Sequence, residues 1–585
     1  MQGTDIKPIV KKIDDNAYGL KEFQNSLIQD PSEKDHDILL KFPTVYIHNW
    51  KNTDDYEVYI GESNNIIQRT KQHYDAGADE RRWQHQLMMK DASLYIIGHE
   101  HFNKSMTLDI ENRLMLYMMS VERVRKIHNL RGNPQGRYYP DSEMDSIFRM
   151  IWKKLRRDNK ELFPNETEIK DSAVFKASPL HKLTEEQEKI KKIIIQRVFD
   201  SLQTKKQGQL IFIEGEAGTG KTVLNSSTFY EIFVSAEEQD MKSLKCCMMV
   251  NHDEQITVYE QIAKKLGLVE RYGEVVYKPT SFINKHLVDD PIDVAFIDEA
   301  HLLLTQGKQS YQGENQLKDI IERARVTVVM FDENQILTTE QYWESQILSQ
   351  YRELAKSQNN YFELKNQLRI KSSEEVVEWI DDFTKNRKVS SLPQNNGGYE
   401  IRIFESPMEL EKALKEKASD ENHKLSRLIA TYDWEYSSKP PAEERLLKYW
   451  EVMIGQWHKP WNRELDRALG KKEKRANKFL SWAEQPQTID EIGSTFTIQG
   501  FDLNYAGVIL GPSVKYRNGE IIFDPSSSYN NKAVRNRTLS DGSKQKFGQE
   551  LIQHEVRVLM TRGVEGLYIF ACDDELREAL FKARK

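Results

Sequence analysis

Cysteine is almost absent from this chain, with three in 585 residues: Cys246, Cys247 and Cys572. Two are adjacent and none stands in a metal-ligand spacing, so neither a disulfide framework nor a zinc site is expected, and the thiols are read as reduced and buried. Long apolar runs are also missing; none could span a bilayer. The N-terminal stretch MQGTDIKPIVKKIDDNAYGL has no apolar centre that could serve as a signal peptide. These absences point to the cytoplasm, with no membrane partner. Nor is there an excess of positive charge. The net charge of −7 leaves any nucleic-acid binding to local basic patches. No internal repeat of fixed period and no low-complexity tract is found.

What is present is the balance of a globular protein, 38% hydrophobic and 30% charged. The length exceeds one hydrophobic core, so two to four domains are expected. Residues 1–40 read as an N-terminal extension and 41–135 as a small α/β domain. In it the strand-like runs FPTVYIH and YEVYIGE are joined by the polar stretch HNWKNTDD, and SLYIIG forms a third strand. Helices are expected over residues 66–74 and 108–119, the second with Ile110, Leu114 and Met118 on one face. Residues 136–180, with the basic run RMIWKKLRRDNK, read as a connector. From there the runs QLIFIE, VAFIDE, TVVMFDE, RLIATY, GVILG and LYIFAC alternate with helical stretches, the pattern of parallel sheets covered by helices. This gives one lobe over 181–365 and a second, with insertions, over 366–585.

GEAGTGKT, Gly215–Thr222, fits G-x-x-x-x-G-K-[ST] in full, after a strand and before a helix. Gly215, Gly218 and Gly220 let backbone N–H groups wrap phosphates at a helix N-terminus. Lys221 would reach the β- and γ-phosphates of ATP, and Thr222 would bind Mg²⁺. A plain glycine-rich turn would not need Lys-Thr in that place. Asp298 and Glu299 end the strand VAFIDE, at the edge where open α/β sheets bind ligands. Asp298 would hold Mg²⁺ through water, and Glu299 would activate the attacking water.

IDEAH, residues 297–301, resembles the second motif of superfamily 1 helicases, and further motifs follow in order. LTEEQ resembles the Q motif, with Gln187 reading adenine. MVNHDEQ lies where a strand-contact motif is expected. FDENQ resembles motif III, with Gln335 as sensor. NQLRI resembles motif IV, where Arg369 would touch the γ-phosphate. STFTIQGFD resembles motif V, with Gln499, Gly500 and Phe501 matching. VLMTRG resembles motif VI, with Arg562 as a second arginine finger. The resemblance covers residues 183–572 and implies two RecA-like lobes that close over ATP and carry nucleic acid. Asn251, His252, Thr497 and Gln499 are the candidate strand contacts. The four tryptophans between Trp450 and Trp482, set among lysines and arginines, fit either single-strand stacking or a core with a solvated charged face. The polar loop 306–316 fits either a strand-contacting pin or plain surface.

TVYIHNW and EVYIGES resemble the paired motifs of the GIY-YIG nucleases. The second, Tyr59-Ile60-Gly61, is intact. The first departs, reading Thr44-Val45-Tyr46. Arg69 and His73 follow in R-x-x-x-H, then Glu111 on the later helix and Asn129 at the place of a structural asparagine. The resemblance implies that Tyr46 orients or deprotonates water beside Tyr59. Arg69 would neutralise the scissile phosphate, and His73 would assist proton transfer. Glu111 would anchor Mg²⁺ or Mn²⁺. Tyrosines on paired strands also pack well for purely structural reasons. The reading is thus an α/β protein: a GIY-YIG domain followed by two RecA-like lobes. It would be an ATP-driven motor coupled to an endonuclease of the restriction or anti-phage type, from a bacterium or phage, acting on DNA. The alternatives are a nucleotide sensor that restrains the nuclease without travelling, or an ATPase with a non-cleaving recognition module. The motifs do not distinguish DNA from RNA. A homo-oligomer or a defence-system partner protein is compatible with either.

Overall fold

The computed structural model describes residues 6–29, 33–75, 83–84, 91–129, 141–239, 241, 243–307, 310–365, 374–394, 397–442, 448–478 and 480–584. They form two compact units, one of residues 1–182 with 259–275, the other of 183–258 with 276–585. No described helix is long and apolar enough to cross a membrane.

The first unit is built on five strands: β1 (Ile9–Asp14), β2 (Thr44–Asn52), β3 (Asp55–Ser63), β4 (Ser93–Gly98) and β5 (Val124–Ile127). They lie in the order β1-β4-β2-β3-β5, antiparallel except for the parallel pair β3–β5. Three sequence expectations are corrected here. The stretch HNWKNTDD is not a connection, because β2 runs on to Asn52 with Trp50 fully buried. The hairpin turns only at Thr53 and Asp54, Thr53 with φ 56°. Nor are the described residues 6–29 and 33–40 an extension. β1 pairs along β4, and the helix Ala17–Gln29 buries Leu20, Phe23 and Leu27 in the same core. Residues 141–180 of the expected connector are likewise part of the fold. The helices Met144–Asp158, Glu166–Asp171 and Ala173–Lys176 pack on the helix Lys104–Ser120. This is why that helix buries Leu116 and Tyr117 as well as the predicted face of Ile110, Leu114 and Met118. The structured parts of both segments were masked in the sequence by charge, since an amphipathic helix reads as polar until its partner is known.

The second unit holds two parallel sheets. The first contains β6 (Gln209–Gly215), β7 (Cys246–Met249), β8 (Val276–Tyr277), β9 (Ile292–Ile297), β10 (Ala324–Phe331) and β11 (Tyr361–Leu364), in the order β11-β6-β10-β9-β7-β8. The centres of β6, β9 and β10 are apolar and buried, as strands covered on both faces are. The second is built from β12 (Glu400–Ile403), β13 (Arg427–Ala430) and two later strands; between these comes the ribbon β14 (Glu451–Ile454) and β15 (Trp457–Pro460). The later strands are β16 (Leu503–Leu510) and, after the ribbons β17–β18 (Val514–Arg517, Glu520–Phe523) and β19–β20 (Arg537–Thr538, Lys544–Gln545), β21 (Gly563–Ala571). The sheet order is β12-β21-β16-β13, all parallel. The short β7, β8, β11 and β12 carry too few apolar residues to show as strands in sequence.

The tryptophan question resolves toward packing. Trp450, Trp461 and Trp482 are buried and Trp457 is half-buried; Trp450 and Trp461 sit in the core of the second sheet. The indole N–H of Trp482 donates to Glu491 at 2.9 Å. Cys246 and Cys247 are buried as expected, whereas Cys572 is half-buried; all three are free.

Candidate nucleotide-binding and tyrosine sites

The phosphate loop joins β6 to the helix Lys221–Glu238. Gly218 and Gly220 take φ of 87° and 79°, a region closed to most side chains. Lys221 is 6% exposed, and its Nζ donates to the carbonyls of Gly215 at 2.6 Å and Glu216 at 2.9 Å. Asp332 lies 3.5 Å from that ammonium. Burial pushes the Asp332 carboxyl up, but the Lys221 ammonium and the hydrogen bond from Gln335 outweigh it and hold it below the usual range. A cleft of about 690 Å³ opens beside the loop, lined in part by Glu214, Glu216, Asp332, Arg352 and Tyr361.

Thr222 sits in the first turn of the helix, half-buried, and Asp298 follows β9, fully buried. A hydroxyl and a carboxylate from neighbouring elements are the oxygen donors that a nucleotide-bound Mg²⁺ takes. Glu299 has φ 47°. A non-glycine residue in that region is strained by about 1–2 kcal/mol, and such strain is held where geometry matters. Its carboxylate lies 3.5 Å from His301 Nδ1.

Gln335 is the junction of the site. Its Nε2 donates to Asp332 at 2.7 Å, and its Oε1 accepts from Arg562 Nη2 at 3.1 Å. Its backbone carbonyl accepts from Gln499 at 3.0 Å. Gln499 also donates to His301 Nε2 at 3.3 Å. Burial keeps His301 below its ordinary pKa, so the neutral ring accepts that bond. A continuous polar chain therefore links Lys221, Asp332, Gln335 and Arg562, with Gln499 and His301 as a branch.

Several expected contacts are turned inward instead. Thr497, a candidate strand contact, is buried, and its hydroxyl closes a capping box with Ser494. Gln499 faces the junction just described. Asn251 donates to Leu302 O at 2.7 Å, and the His252 ring packs on Phe501, with burial lowering its pKa to about 4. Gln187 donates from its amide to the carbonyls of Thr219 and Gly220 and accepts from Thr184 N, so it braces the phosphate loop. Gly500, with φ 85°, lies against Gln255. In the loop 306–316, Tyr311 and Gln316 are buried and Gln316 binds Leu304 N, which removes them from any pin. Arg369 and the rest of NQLRI lie outside the described residues. Sequence reading passed over Arg557, which reaches Glu216 of the phosphate loop at 2.6 Å. The available signal was a second arginine ahead of VLMTRG on the same helix.

In the first unit, Tyr46 on β2 and Tyr59 on β3 present one face of the sheet, their rings stacked 6.2 Å apart. The Tyr46 hydroxyl and His73 Nε2 are 3.0 Å apart. Burial and the nearby Tyr59 push the Tyr46 hydroxyl well above the ordinary tyrosine range, with Arg69 opposing. Tyr46 therefore keeps its proton, within hydrogen-bond distance of His73. Arg69 interacts with both hydroxyls. Trp83 stacks on Tyr59 at 4.2 Å. The intact glycine of the second motif has a steric reason, since a Cβ at Gly61 would stand 2.5 Å from the Tyr46 ring. Asn129 donates to Ile60 O at 2.8 Å and to Glu111 Oε1 at 3.1 Å, tying the carboxylate of the helix Lys104–Ser120 to the strand between Tyr59 and Gly61. Within this group, His48, whose ring lies 5.4 Å from those of Tyr46 and His73, forms a buried pair with Asp15 at 2.6 Å, which sequence reading did not single out. Among the described residues, no group of three or more His, Cys, Asp or Glu could hold a metal ion.

Residues 208–573 match the protein family described as Schlafen group 3, DNA/RNA helicase domain. The uncharacterized protein YPL245W of Saccharomyces cerevisiae is 30% identical over 435 residues, spanning 69% of this chain and 91% of that protein. Of solved structures, the Pif1 helicase from Candida albicans shares 12% identity, covering 68% of this chain and 97% of its own, with a TM-score of 0.25. A DEAD box protein from Methanococcus jannaschii shares 13%, covering 69% and 94%, with a TM-score of 0.23. The helicase-type fold rests on the family match, whose residues include both parallel sheets. The family match spans the phosphate loop, Asp298, Gln335, Gln499 and Arg562, and the chain belongs to the Schlafen group 3 DNA/RNA helicase-domain family.

Proposed function

We propose that the chain hydrolyses ATP with a helicase-type motor and couples it to a metal-dependent GIY-YIG endonuclease in its N-terminal unit. Nucleic acid is the substrate, DNA in the first instance. The observation that carries the motor half is Gln335, which bonds the side chain facing Lys221 on one side and Arg562 on the other. Such a junction reports what binds at the phosphate loop to the second sheet. Thr222 and Asp298 would hold Mg²⁺, which supplies charge neutralisation at the phosphates. Lys221 orients them, and Glu299 accepts the proton of the attacking water.

For the nuclease half, the support is the Tyr46–His73 hydrogen bond beside Arg69. Tyr46 is too hard to ionise to act as a resident base. It relays instead: water loses a proton to the Tyr46 oxygen as Tyr46 passes its own to His73 Nε2, while Arg69 neutralises the scissile phosphate. Glu111 would be the one protein ligand of Mg²⁺ or Mn²⁺, held in place by Asn129, with water and phosphate oxygens completing the shell. An enzyme of this kind would suit restriction of foreign DNA.

The test is incubation of the full chain with supercoiled and linear DNA, and with RNA, in Mg²⁺ or Mn²⁺, with and without ATP. Metal-dependent nicking lost in Glu111→Ala is expected. Nicking that persists in that variant removes the assigned site. No nicking of either polymer reduces the N-terminal unit to a recognition module. ATP that suppresses cutting without single-strand-stimulated hydrolysis makes the second unit a sensor.

A further inference from the structure

Arg562, which the motif order assigns to the γ-phosphate, directs its guanidinium elsewhere. Its Nε donates to Val558 O at 3.0 Å, Nη1 to Phe501 O at 3.2 Å and Nη2 to Gln335 at 3.1 Å, and the residue is fully buried. Arg557, on the helix Gly548–Met560, stands at the phosphate loop itself. Its Nη2 reaches Glu216 Oε2 at 2.6 Å, and its Nε donates to Asp381 Oδ1 at 3.1 Å. Lys385 lies 2.8 Å from both carboxylates. Two cations and two carboxylates thus close a ring, and one of those carboxylates belongs to the loop.

The position of that ring is informative. Glu216 is the residue whose carbonyl accepts from Lys221 Nζ, so the guanidinium of Arg557 and the ammonium of Lys221 are held by one residue of the loop. Arg557 is buried, whereas the Glu216 side chain is 43% exposed. The Glu216 carboxylate, held by Arg557, Lys385 and Asn334, therefore has water to turn into when a stronger anion takes its place, while Arg557 keeps its bond to Asp381. A γ-phosphoryl group offers more charge and more oxygens to a guanidinium fork than a carboxylate does.

We propose that Arg557, with Lys385 beside it, is the arginine that meets the γ-phosphate, and that the Glu216 carboxylate competes with that phosphate for it. The inference rests on the ATPase reading. ATP displaces Glu216 from the ring; ADP, which lacks the γ-phosphate, leaves the ring closed. Arg562 then acts as the relay from Gln335 rather than as the finger.

The full chain is titrated with ATPγS and with ADP, and ATP turnover is measured at saturation. Removing the competing charge in Glu216→Gln should tighten ATPγS about fivefold or more, the size of a typical coupling, and leave ADP, which has no γ-phosphate to compete, within about twofold. Turnover should fall roughly 10³-fold or more in Arg557→Lys, with ADP affinity kept. The doubly substituted Arg557→Gln/Asp381→Asn, which removes both charges together, guards against loss of folding and should show the same split. Unchanged or weaker ATPγS binding in Glu216→Gln overturns the competition. Wild-type turnover in both Arg557 variants overturns the assignment, with the ATPase reading intact. Wild-type protein that binds neither nucleotide sinks the ATPase reading and the inference with it. If it binds without turning over, the ratio of ATPγS to ADP affinity in Glu216→Gln decides.

Discussion

At the scale of single residues, both sites rely on side chains whose alternatives have been removed by packing. Lys221 has two carbonyls and Asp332 around its ammonium, so its loss leaves a buried carboxylate unbalanced as well as a phosphate unbound. Lys221→Ala should abolish ATP turnover, by a factor of about 10³ or more, in a phosphate-release assay. Gly61 offers a sharper probe of the tyrosine site. Gly61→Ala puts a methyl 2.5 Å from the Tyr46 ring, which must move off His73. A cost of about 1–3 kcal/mol in stability is expected, with nicking lost while ATP turnover continues. Nicking at the wild-type rate in that variant would detach the Tyr46–His73 bond from the chemistry. The identities of these residues were legible because motifs are local. Their partners were not, since His48 with Asp15 and Arg557 with Glu216 are joined over 33 and 341 positions of chain.

At the scale of elements, the insertion carrying the tryptophans behaves as core. Trp461 has no exposed surface and lies among Leu428, Ile492 and Tyr505. Trp461→Ala should therefore cost about 3–5 kcal/mol in a denaturant titration, with single-strand affinity unchanged where the variant remains folded. A variant of wild-type stability that loses strand binding would restore the stacking role. Sequence reading could not separate the two outcomes, because an indole among lysines looks the same whether its ring faces a base or a sheet. The same ambiguity hid the helix Met144–Asp158, whose five buried residues include Trp152 and Phe148 beneath a run of arginines and lysines. The long strands were legible by their apolar continuity, whereas β11 is only four residues long and β12 carries charged residues at alternate positions, so both merge with their surroundings.

At the scale of the whole molecule, the second unit carries a pH liability. Glu555 is buried beneath the second sheet, where burial, with Asp433 nearby, pushes its carboxyl up to about 8; burial raises Asp433 to about 6. Both carboxyls hold protons in the folded state that they lose more readily when unfolded. Their contribution to stability is complete below the ordinary carboxylate range and declines as pH rises through about 6 to 8. Melting temperature should therefore fall over that interval, and Glu555→Gln should flatten the fall. A Glu555→Gln protein with the same pH dependence as wild type would contradict this.

By itself the sequence determined the phosphate loop, the order of the helicase motifs, the pairing of two tyrosine strands and the alternation that makes parallel sheets. Each follows from spacing along a few residues, where φ preferences, periodicity and chemistry are local. Only the tertiary structure decided that β1 completes the first sheet, that the tryptophans are core, that Thr497 and Gln499 face inward, and that Arg557 rather than Arg562 stands at Glu216. Those outcomes depend on which surfaces meet across hundreds of residues. A buried charge must find its partner there, and no short stretch of chain specifies where that partner will be.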